Sequence, residues 1–369
     1  MRIMHVLPTL TVGGAETLVS DYLVMLKQLG HEVALLVYID SNTKIKEKLL
    51  NNGIPIYVIS PASKSKIGCC IEITRRKILY KRIYWRIINN FQPDVLHFHL
   101  KVLPDIKDIE RYNGIKLFYT YHSDINRYIK EYGQTWKNNI CELSKKGYIH
   151  SFALSYKMLN QVKKNICEDN VIYLANGIDI KEARSKRYDR ALFLKSIKKE
   201  QYSPIIVHVG RLAEVKNHKK SIEIVKEIIN KKPNVLLLLV GMGDEAYTES
   251  LKQYAMDLGV SGNISFLGFR TDINEIISVC DAALLPSYFE GFPLTVLEYQ
   301  AHGIRCVVSE AIPEEAICNN NCFRLSIDES NSTWCGYLLG TKINHISKDI
   351  MEFDSHRCIT KMMNYYEEC

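Results

Sequence analysis

Two carboxylates, Glu290 and Glu298, enclose a segment that has the composition of a loop leading into a helix. The residues at the start of this segment are Gly291, Phe292, Pro293 and Leu294. Glycine permits unusual backbone angles, and proline suits the first position of a helix, where exposed amides attract phosphate. Because a helix rises about 1.5 Å per residue, Glu298 should lie roughly a turn and a half inside it. Two anions cannot both touch a phosphate without repulsion, so each is expected to accept hydrogen bonds from neutral hydroxyls, such as those on either side of a sugar diphosphate.

Two cations follow another predicted strand, residues 205–209. Arg211 and Lys216 bracket the loop that begins at Gly210, at the carboxyl end of that strand. There they could stabilise a departing diphosphate through charge-assisted hydrogen bonds of about 1.5–3 kcal/mol each. The alternative is a pair of ordinary surface charges, which are common.

Two further strand ends carry residues that could contact a ligand. Gly13 and Gly14 open a helix after the first strand, where glycine either lets the backbone approach a ligand or simply makes the turn. His122 follows the strand that ends at Tyr121, and as a neutral imidazole it could bond a sugar hydroxyl. The alternative for His122 is a strand-end histidine that bonds the backbone.

The sequence predicts no metal site. His97 and His99 alternate on one strand face in the manner of metal ligands, but no third ligand is evident, which disfavours zinc. No Asp-x-Asp pair is present to hold a divalent ion on a diphosphate. The segment 241–246 matches the dinucleotide pattern G-x-G-x-x-A, but no acidic residue ends the next strand at the expected distance, so a nicotinamide site is disfavoured.

A basic amphipathic helix is predicted between Lys64 and Arg86, where apolar residues alternate with cations. Its candidate membrane-surface residues are Arg75, Arg76, Lys77, Lys81, Arg82 and Trp85. This pattern is typical of a helix that lies on an anionic membrane. The alternative is a solvated face whose apolar side packs on the core. Nucleic acid is not expected as a partner, because no recognition motif accompanies the charge.

The elements that must position these residues alternate between strands and helices. Predicted strands are 2–7, 33–39, 54–59, 95–99, 117–121, 151–154 and 171–174 in the first half, and 205–209, 235–240, 264–267, 282–286 and 306–309 in the second. This alternation predicts an α/β protein with two Rossmann-like, doubly wound parallel sheets. With 369 residues, two domains are expected, and the cleft between them is the expected ligand site.

Composition places the chain among globular proteins, with 47% hydrophobic and 24% charged residues and a net charge of +7. Its first residues do not have the pattern of a signal peptide, and no window approaches the roughly 20 apolar residues of a membrane span. The eleven cysteines are therefore expected to be free, mostly buried thiols.

Together, these residues resemble the retaining glycosyltransferases of family 4, which adopt the GT-B fold of two Rossmann-like domains that face a deep cleft. The matching segments are 13–16, His122, 176–179, 210–216 and 290–298, along nearly the whole chain. The last of these resembles the E-x7-E signature of the family. The segment 309–315 resembles versions found in bacterial capsule, exopolysaccharide and O-antigen enzymes.

The resemblance implies a role for each acidic and basic residue. Glu298 would hold the ribose hydroxyls, and Glu290, with the amides of 291–294, would hold the transferred sugar and the phosphate. Arg211 and Lys216 would neutralise the diphosphate, which implies an enzyme that needs no metal and no cofactor beyond a UDP- or GDP-sugar co-substrate. Transfer with retention is usually described as a front-face displacement in which the leaving phosphate helps to deprotonate the acceptor.

The resemblance also implies how the first half of the chain contributes. Gly13 and Gly14 would let the N-terminal loop approach the phosphate, and His122 would contact the sugar near the reacting carbon. The expected domains are 1–190 for the acceptor, 200–350 for the nucleotide sugar, and a terminal helix at 351–369 that crosses back to the first domain.

The sequence thus predicts a hexosyltransferase of polysaccharide biosynthesis with a lipid-linked or oligosaccharide acceptor, peripheral on the inner face of the bacterial cytoplasmic membrane. Two alternatives stay open. One is a sugar-nucleotide 2-epimerase of the same fold, and the other is a non-catalytic sugar-nucleotide-binding subunit. The base, the sugar, the acceptor, the linkage and the oligomeric state are not encoded in any motif that can be read.

Overall fold

The computed structural model describes residues 1–11, 13–41, 43–60, 70–340 and 349–368, with the backbone alone described for residues 70–77. The chain forms two compact units. The first unit contains Met1–Ala175 together with Cys358–Cys369, and the second contains Asn176–Arg357. Both are parallel α/β units, which confirms the predicted fold class.

The first unit contains a seven-stranded parallel sheet in the order β3-β2-β1-β4-β5-β6-β7. Its strands are β1 (Arg2–Thr9), β2 (Glu32–Ile39), β3 (Ile56–Ser60), β4 (Val95–His99), β5 (Lys116–Tyr121), β6 (His150–Ala153) and β7 (Val171–Tyr173). Its helices are α1 (Gly14–Gln28), α2 (Lys44–Asn51), α3 (Cys70–Phe91), α4 (Ile125–Lys145) and α5 (Tyr156–Asn165), with a 3-10 helix at Ile106–Tyr112. The central strands are buried on both faces, as expected for a parallel sheet that is covered by helices.

The second unit contains a six-stranded parallel sheet in the order β10-β9-β8-β11-β12-β13. Its strands are β8 (Ile205–Val209), β9 (Leu236–Val240), β10 (Ile264–Gly268), β11 (Ala282–Leu285), β12 (Arg305–Ser309) and β13 (Cys322–Leu325). Its helices are α6 (Ile180–Ser185), α7 (Arg190–Ser196), α8 (His218–Ile229), α9 (Glu245–Asp257), α10 (Ile273–Ile277), α11 (Leu294–Ala301) and α12 (Asn331–Leu339). Short 3-10 helices occur at Glu214–Lys216, Ser261–Asn263, Glu314–Ala316 and Ile350–Phe353.

The last helix, α13 (Ser355–Glu368), returns to the first unit, which takes in its residues from Cys358 onward. Ile359, Met362 and Tyr366 repeat at helical spacing and are buried. The Tyr366 hydroxyl bonds Nδ1 of His97, and Lys116 Nζ donates to the carbonyl oxygen of Tyr366 at 2.7 Å. The end of the chain is therefore part of the packing of the first sheet.

Each sheet has one place where its strand order changes direction. In the first unit it lies between β1 and β4, and in the second between β8 and β11. Loops that leave adjacent strands in opposite directions open a crevice at the carboxyl edge, where ligands of such sheets bind. The residues singled out by sequence follow β1, β5, β8 and β11.

Every predicted strand is present, but the structure adds β13, which pairs with β12 beyond the last strand expected from sequence. The eight cysteines in the described ranges that can be assessed form no disulfide among the described residues, and six of them are buried. Within the described ranges, none of the helices has the length and apolar character needed to cross a membrane.

Candidate active site

In the second unit, the structure brings two of the predicted residues into direct contact. Lys216 Nζ lies 2.6 Å from Glu290 Oε1, although the two residues follow different strands. Ser287 Oγ donates to the same carboxylate oxygen at 2.6 Å. The side chain of Glu290 is only 9% exposed. Since Oε1 takes both bonds, Oε2 is the oxygen of Glu290 that a ligand hydroxyl can use.

The loops that carry this pair are fixed to each other through backbone contacts. The amide of Tyr288 donates to the Val215 carbonyl at 2.8 Å, and Ser309 Oγ donates to the Ser287 carbonyl at 2.5 Å. Arg211 lies in the same loop as Lys216, and its side chain is exposed. The crevice between β8 and β11 therefore has an exposed guanidinium and a partly buried ammonium–carboxylate pair along one side.

Gly241 and Gly243 hold the loop of Arg211 in place, a role that sequence analysis did not assign. A Cβ atom on Gly241, where φ is +149°, would lie 2.0 Å from the Gly210 carbonyl oxygen. A Cβ atom on Gly243 would lie 2.1 Å from the Leu212 carbonyl oxygen. The amide of Leu212 donates to the Met242 carbonyl at 2.8 Å. The glycine pair in this G-x-G-x-x-A match thus allows two strand-end loops to touch.

The segment after Glu290 leads into α11 one residue later than expected. Pro293 is the residue that precedes the helix, with φ −76° and ψ 113°, and Leu294 is the first helical residue. The prediction that Pro293 takes the first helical position is therefore wrong by one residue. The ring of Phe292 is buried and packs against Phe353 with ring centroids 5.3 Å apart, so only its backbone can face a ligand.

Within α11, Glu298 is partly buried and lies in the second turn. Its neighbour Tyr299 is fully buried, and the Tyr299 hydroxyl accepts a hydrogen bond from the Val209 amide at 2.8 Å. This bond ties the helix that carries Glu298 to the strand that ends beside Arg211. Gly291 lies between the two glutamates and is partly exposed.

In the first unit, the loop after β1 ends at Gly13, which precedes α1 in an extended conformation. A Cβ atom on Gly13 would lie 2.4 Å from the Glu16 carboxylate, so a larger residue there would displace the Glu16 side chain. Glu16 is buried and accepts a bond from Thr11 Oγ1 at 2.9 Å. Nothing would lie within 4 Å of a Cβ atom on Gly14, whose position is open.

His122 directly follows β5 and is partly buried. Its Nε2 atom is 2.9 Å from His99 Nδ1, and its amide donates to the Tyr128 hydroxyl at 2.8 Å. Burial lowers the pKa of His122 to about 4, so the ring is neutral near pH 7. The structure thus gives His122 a ring–ring bond to another imidazole and a backbone bond to tyrosine.

A third imidazole joins the pair His97 and His99, although the sequence offered no evident third ligand. Donor atoms of His5, His97 and His99 all lie within 4.8 Å of one another, and the three residues are buried. Both ring nitrogens of His97 are engaged, Nε2 with Thr120 Oγ1 at 2.7 Å and Nδ1 with Tyr366. The imidazoles are therefore part of a hydrogen-bond network.

The basic helix α3 differs from its prediction at one residue. Trp85 is 4% exposed, its Nε1 donates to Asp108 at 3.0 Å, and the Arg111 guanidinium lies 3.9 Å from its ring centre. The expectation that Trp85 contacts a membrane surface is therefore wrong, because these contacts enclose the indole. Lys81 pairs with Asp108 at 2.7 Å.

The exposed cations of α3 line a surface groove of about 510 Å³. Arg82, Arg86 and Arg111 lie along this groove with Asn89. The side chains of Arg75, Arg76 and Lys77 lie outside the described residues.

Two family models match the chain in succession. Residues 12–182 match the model described as Glycosyltransferase Family 4, and residues 189–333 match the model described as Glycosyl transferases group 1. Between them, these matches include all the candidate residues predicted from the sequence.

Similar proteins and structures agree with these matches. The putative glycosyltransferase EpsF of Bacillus subtilis is 24% identical over 90% of this chain and 85% of its own length. An Escherichia coli enzyme named UDP-Gal:alpha-D-GlcNAc-diphosphoundecaprenol alpha-1,3-galactosyltransferase is 32% identical over 40% of this chain and 37% of its own length. The crystal structure of HepE from Anabaena in complex with UDP-glucose has a TM-score of 0.77 at 17% identity, with 100% of each chain covered, and thus shares the fold. From the paired family matches and the GT-B architecture, we conclude that the chain belongs to the family 4 glycosyltransferases.

Proposed function

We propose that this glycosyltransferase moves a hexose, with retention of anomeric configuration, from a nucleoside diphosphate sugar to a lipid-linked surface-glycan acceptor. The observation that carries the proposal is the contact between Lys216 and Glu290 at the crevice of the second sheet. A cation that can meet a diphosphate and a carboxylate that can meet a sugar hydroxyl are held side by side there. Together they match the two ends of the bond that a sugar-nucleotide transferase breaks.

The charges of the second unit suit stabilisation of the departing diphosphate. Arg211 and Lys216 would offset the negative charge that develops on the leaving phosphate, the kind of electrostatic effect that often dominates catalysis. Amides of residues 291–294 at the start of α11 would add further donors. With two side-chain cations available, we propose that transfer does not require a divalent metal.

The two glutamates would bind different parts of the donor. Glu290 would accept a hydrogen bond from a hydroxyl of the transferred sugar through Oε2, because its Oε1 is occupied by Lys216 and Ser287. Glu298, one helical turn into α11, would accept bonds from the ribose. His122 of the first unit would contact the sugar near the reacting carbon, and Gly14 would allow the loop after β1 to approach the phosphate.

The choice of substrates rests on similarity. HepE of Anabaena has been crystallised with UDP-glucose, and the Escherichia coli relative is named for a UDP-galactose donor and a diphosphoundecaprenol-linked acceptor. We propose a UDP-sugar donor and a polyprenol-diphosphate-linked acceptor for this chain too. Such an acceptor is consistent with a cytoplasmic enzyme that associates peripherally with the inner face of the membrane through the cations of α3.

The test is incubation with a panel of UDP- and GDP-sugars, with and without a lipid-linked acceptor extract, in the presence of a metal chelator. We expect transfer from one UDP-sugar only when acceptor is present, with the anomeric configuration retained in the product by NMR. Isomerisation of the donor without acceptor would instead identify an epimerase, and donor binding without any turnover would identify a binding subunit.

A matched variant assigns the activity to the proposed site. Glu290→Gln keeps an oxygen for Ser287 but removes the negative charge, and we expect transfer to fall by about 100-fold or more, the effect typical of a lost transition-state contact. Glu310→Gln, which alters a carboxylate that accepts a bond from Ser326, is the control and should retain activity. Equal activity in the two variants would place the site elsewhere.

A further inference from the structure

Three imidazoles form a hydrogen-bonded row that leads from the core of the first sheet to His122. His5 Nδ1 lies 2.9 Å from His99 Nε2, and His99 Nδ1 lies 2.9 Å from His122 Nε2. His5 and His99 are 0% and 3% exposed, whereas His122 is partly exposed at the strand end. The row uses both nitrogens of His99 and leaves Nδ1 of His122 as the atom that can face a substrate.

All three rings are neutral near pH 7. Burial lowers the pKa of His5 to about 3 and that of His122 to about 4, and it lowers the pKa of His99 well below its usual value. A neutral imidazole carries one N–H and one lone pair. Each hydrogen bond of the row contains one proton. The tautomer of any one ring therefore fixes the tautomers of the other two.

Only two proton arrangements satisfy both bonds. In the outward arrangement, His5 Nδ1 donates to His99, His99 Nδ1 donates to His122, and His122 carries its proton on Nδ1. In the inward arrangement, every donor is reversed, and His122 carries its proton on Nε2 with a bare lone pair on Nδ1. The two arrangements therefore present opposite groups to a substrate.

The buried end of the row decides between them. His5 Nε2 is buried and has no hydrogen-bond partner among the described residues. The inward arrangement would leave a buried N–H group at this atom, and the outward arrangement leaves only a lone pair. Buried N–H groups without partners are rarer in proteins than under-satisfied acceptors. The outward arrangement is thus the more stable one.

We propose that His5 and His99 are positioning residues that hold His122 in the Nδ1–H form, so that His122 is an obligate hydrogen-bond donor toward an oxygen of the transferred sugar. The proposal rests on the proposed contact of His122 with the donor. It adds that the accepting partner is a sugar oxygen with a free lone pair, and that His122 does not act as a base through Nδ1.

His97 has a different role in the same cluster. Its ring stacks on His99 with centroids 4.3 Å apart, but its nitrogens bond Thr120 and Tyr366 and not the row. A metal ion on His5 and His99 would occupy the two nitrogens that form the inner bond. Elemental analysis of the purified protein therefore tests the competing metal site: no tightly held metal is expected, and about one equivalent per chain would overturn the proposal.

The direct test is the tautomer of His122 in the full-length wild-type protein. Two-dimensional ¹H–¹⁵N spectra of ¹⁵N-histidine-labelled protein distinguish a protonated Nδ1 from a protonated Nε2, and the signals of His122 are assigned by their loss in His122→Asn. We expect a neutral ring with the proton on Nδ1. A proton on Nε2, or a charged ring at pH 7.5, would overturn the proposal.

A pair of substitutions at the far end of the row tests its effect on transfer. An aspartate carboxylate at position 5 can only accept, so His5→Asp should reverse the row and move the proton of His122 to Nε2. We expect kcat to fall by about tenfold or more, the factor that corresponds to one lost hydrogen bond of about 1.4 kcal/mol, while the affinity for UDP stays within twofold. His5→Asn places an amide N–H in the position of Nδ1 and should keep kcat within about threefold, the scale of a conservative change.

The outcomes separate this proposal from the proposed function. If His5→Asp and His5→Asn lower kcat equally while both remain folded, the row has only a structural role. If His5→Asp does not fold, the proposal is judged from the tautomer of His122 in the wild-type protein alone. If wild-type protein transfers no sugar, the proposed function fails, whereas the tautomer of His122 still reports whether the row exists.

Discussion

At the scale of single residues, the ammonium of Lys216 and the carboxylate of Glu290 form an ion pair at the crevice of the second unit. Lys216 and Glu290 compensate each other's charge before any donor arrives, and Ser287 fixes the carboxylate in place. The negative charge of a bound diphosphate would attract Lys216. This attraction would weaken the ion pair between Lys216 and Glu290. Binding of the phosphate and binding of the sugar are therefore coupled through one ion pair. Glu298 lies outside this pair, on α11.

Because Glu298 is separate from the ion pair, we expect its substitution to affect donor binding more than turnover. Glu298→Gln replaces charge-assisted bonds to the ribose with weaker neutral ones, and UDP affinity should fall by about tenfold, or about 1.4 kcal/mol. The turnover number should change by less than about threefold. Isothermal titration with UDP measures the affinity, with Glu314→Gln, whose side chain is 83% exposed, as the control. Unchanged affinity would remove Glu298 from the ribose site.

The positions of candidate residues in the second unit could be predicted because the carboxyl ends of parallel strands gather at one edge. Arg211 and Glu290 could be placed from strand ends alone. The row of His5, His99 and His122 could not, because it depends on the side-by-side register of β1, β4 and β5, which are far apart along the chain. The burial of Trp85 could not be predicted from its local sequence either, because the residues that enclose it, Asp108 and Arg111, belong to a later 3-10 helix.

At the scale of elements, the loops that follow β8 and β9 contact each other because these two strands are neighbours in the second sheet. Gly241 and Gly243 let the backbone of one loop pass against the other, and the bridge between Leu212 and Gly243 continues the sheet beyond its strands. The glycine spacing that resembles a dinucleotide motif is therefore explained by the close packing of these two loops. In the first unit, α3 also has a structural role, because Asp108 and Arg111 enclose its Trp85 side chain while Lys81, Arg82 and Arg86 are exposed.

Gly241→Ala should be more damaging than glycine substitution elsewhere in the same unit. Gly259 also has a positive φ, of +69°, but a Cβ atom there would meet nothing within 4 Å. Gly259→Ala should cost about 1–2 kcal/mol from backbone strain alone, while Gly241→Ala adds a clash with the Gly210 carbonyl. At about 2–4 °C per kcal/mol, thermal unfolding should distinguish the two variants. Equal unfolding midpoints of the two variants would show that the loops after β8 and β9 can move apart without loss of stability.

The groove on α3 predicts binding to anionic membranes. Each cation near such a surface contributes about 1 kcal/mol, so Arg82→Gln with Arg86→Gln should weaken binding to phosphatidylserine vesicles by about tenfold or more. Lys163→Gln with Lys164→Gln, on exposed positions of α5, is a control with the same change in charge. Vesicle co-sedimentation measures both. If the two double variants bind alike, the attraction is due to net charge and not to α3.

At the scale of the whole molecule, both units bury imidazoles in or beside the strands of their sheets. The first unit buries His5, His97 and His99, and the second unit stacks His208 on His218 with centroids 4.2 Å apart. Burial lowers the pKa of each of these rings. An unfolded chain binds protons at these rings near pH 6.5, whereas the folded chain does not.

This difference predicts an acid-sensitive fold. The stabilisation from keeping these rings neutral is complete above pH 6.5, and it is lost as the pH falls from 6.5 towards 4, by about 1.4 kcal/mol per pH unit for each ring. Urea unfolding at pH 7.5, 6.5 and 5.5 measures the trend. His208→Asn, which can keep the bond to Ser221, should make this pH dependence shallower. A stability that is constant from pH 7.5 to 5.5 would contradict the prediction.

The return of α13 to the first unit has a consequence for how the protein is made. Tyr366 fills the core beside His97, yet the ribosome must first produce the entire segment Asn176–Arg357. At about 5–20 residues per second, this interval lasts roughly 10–40 seconds. During that time the nascent first sheet exposes the apolar surface that Ile359, Met362 and Tyr366 later cover. The N-terminal unit, although translated first, is thus completed only after the second unit has been synthesised.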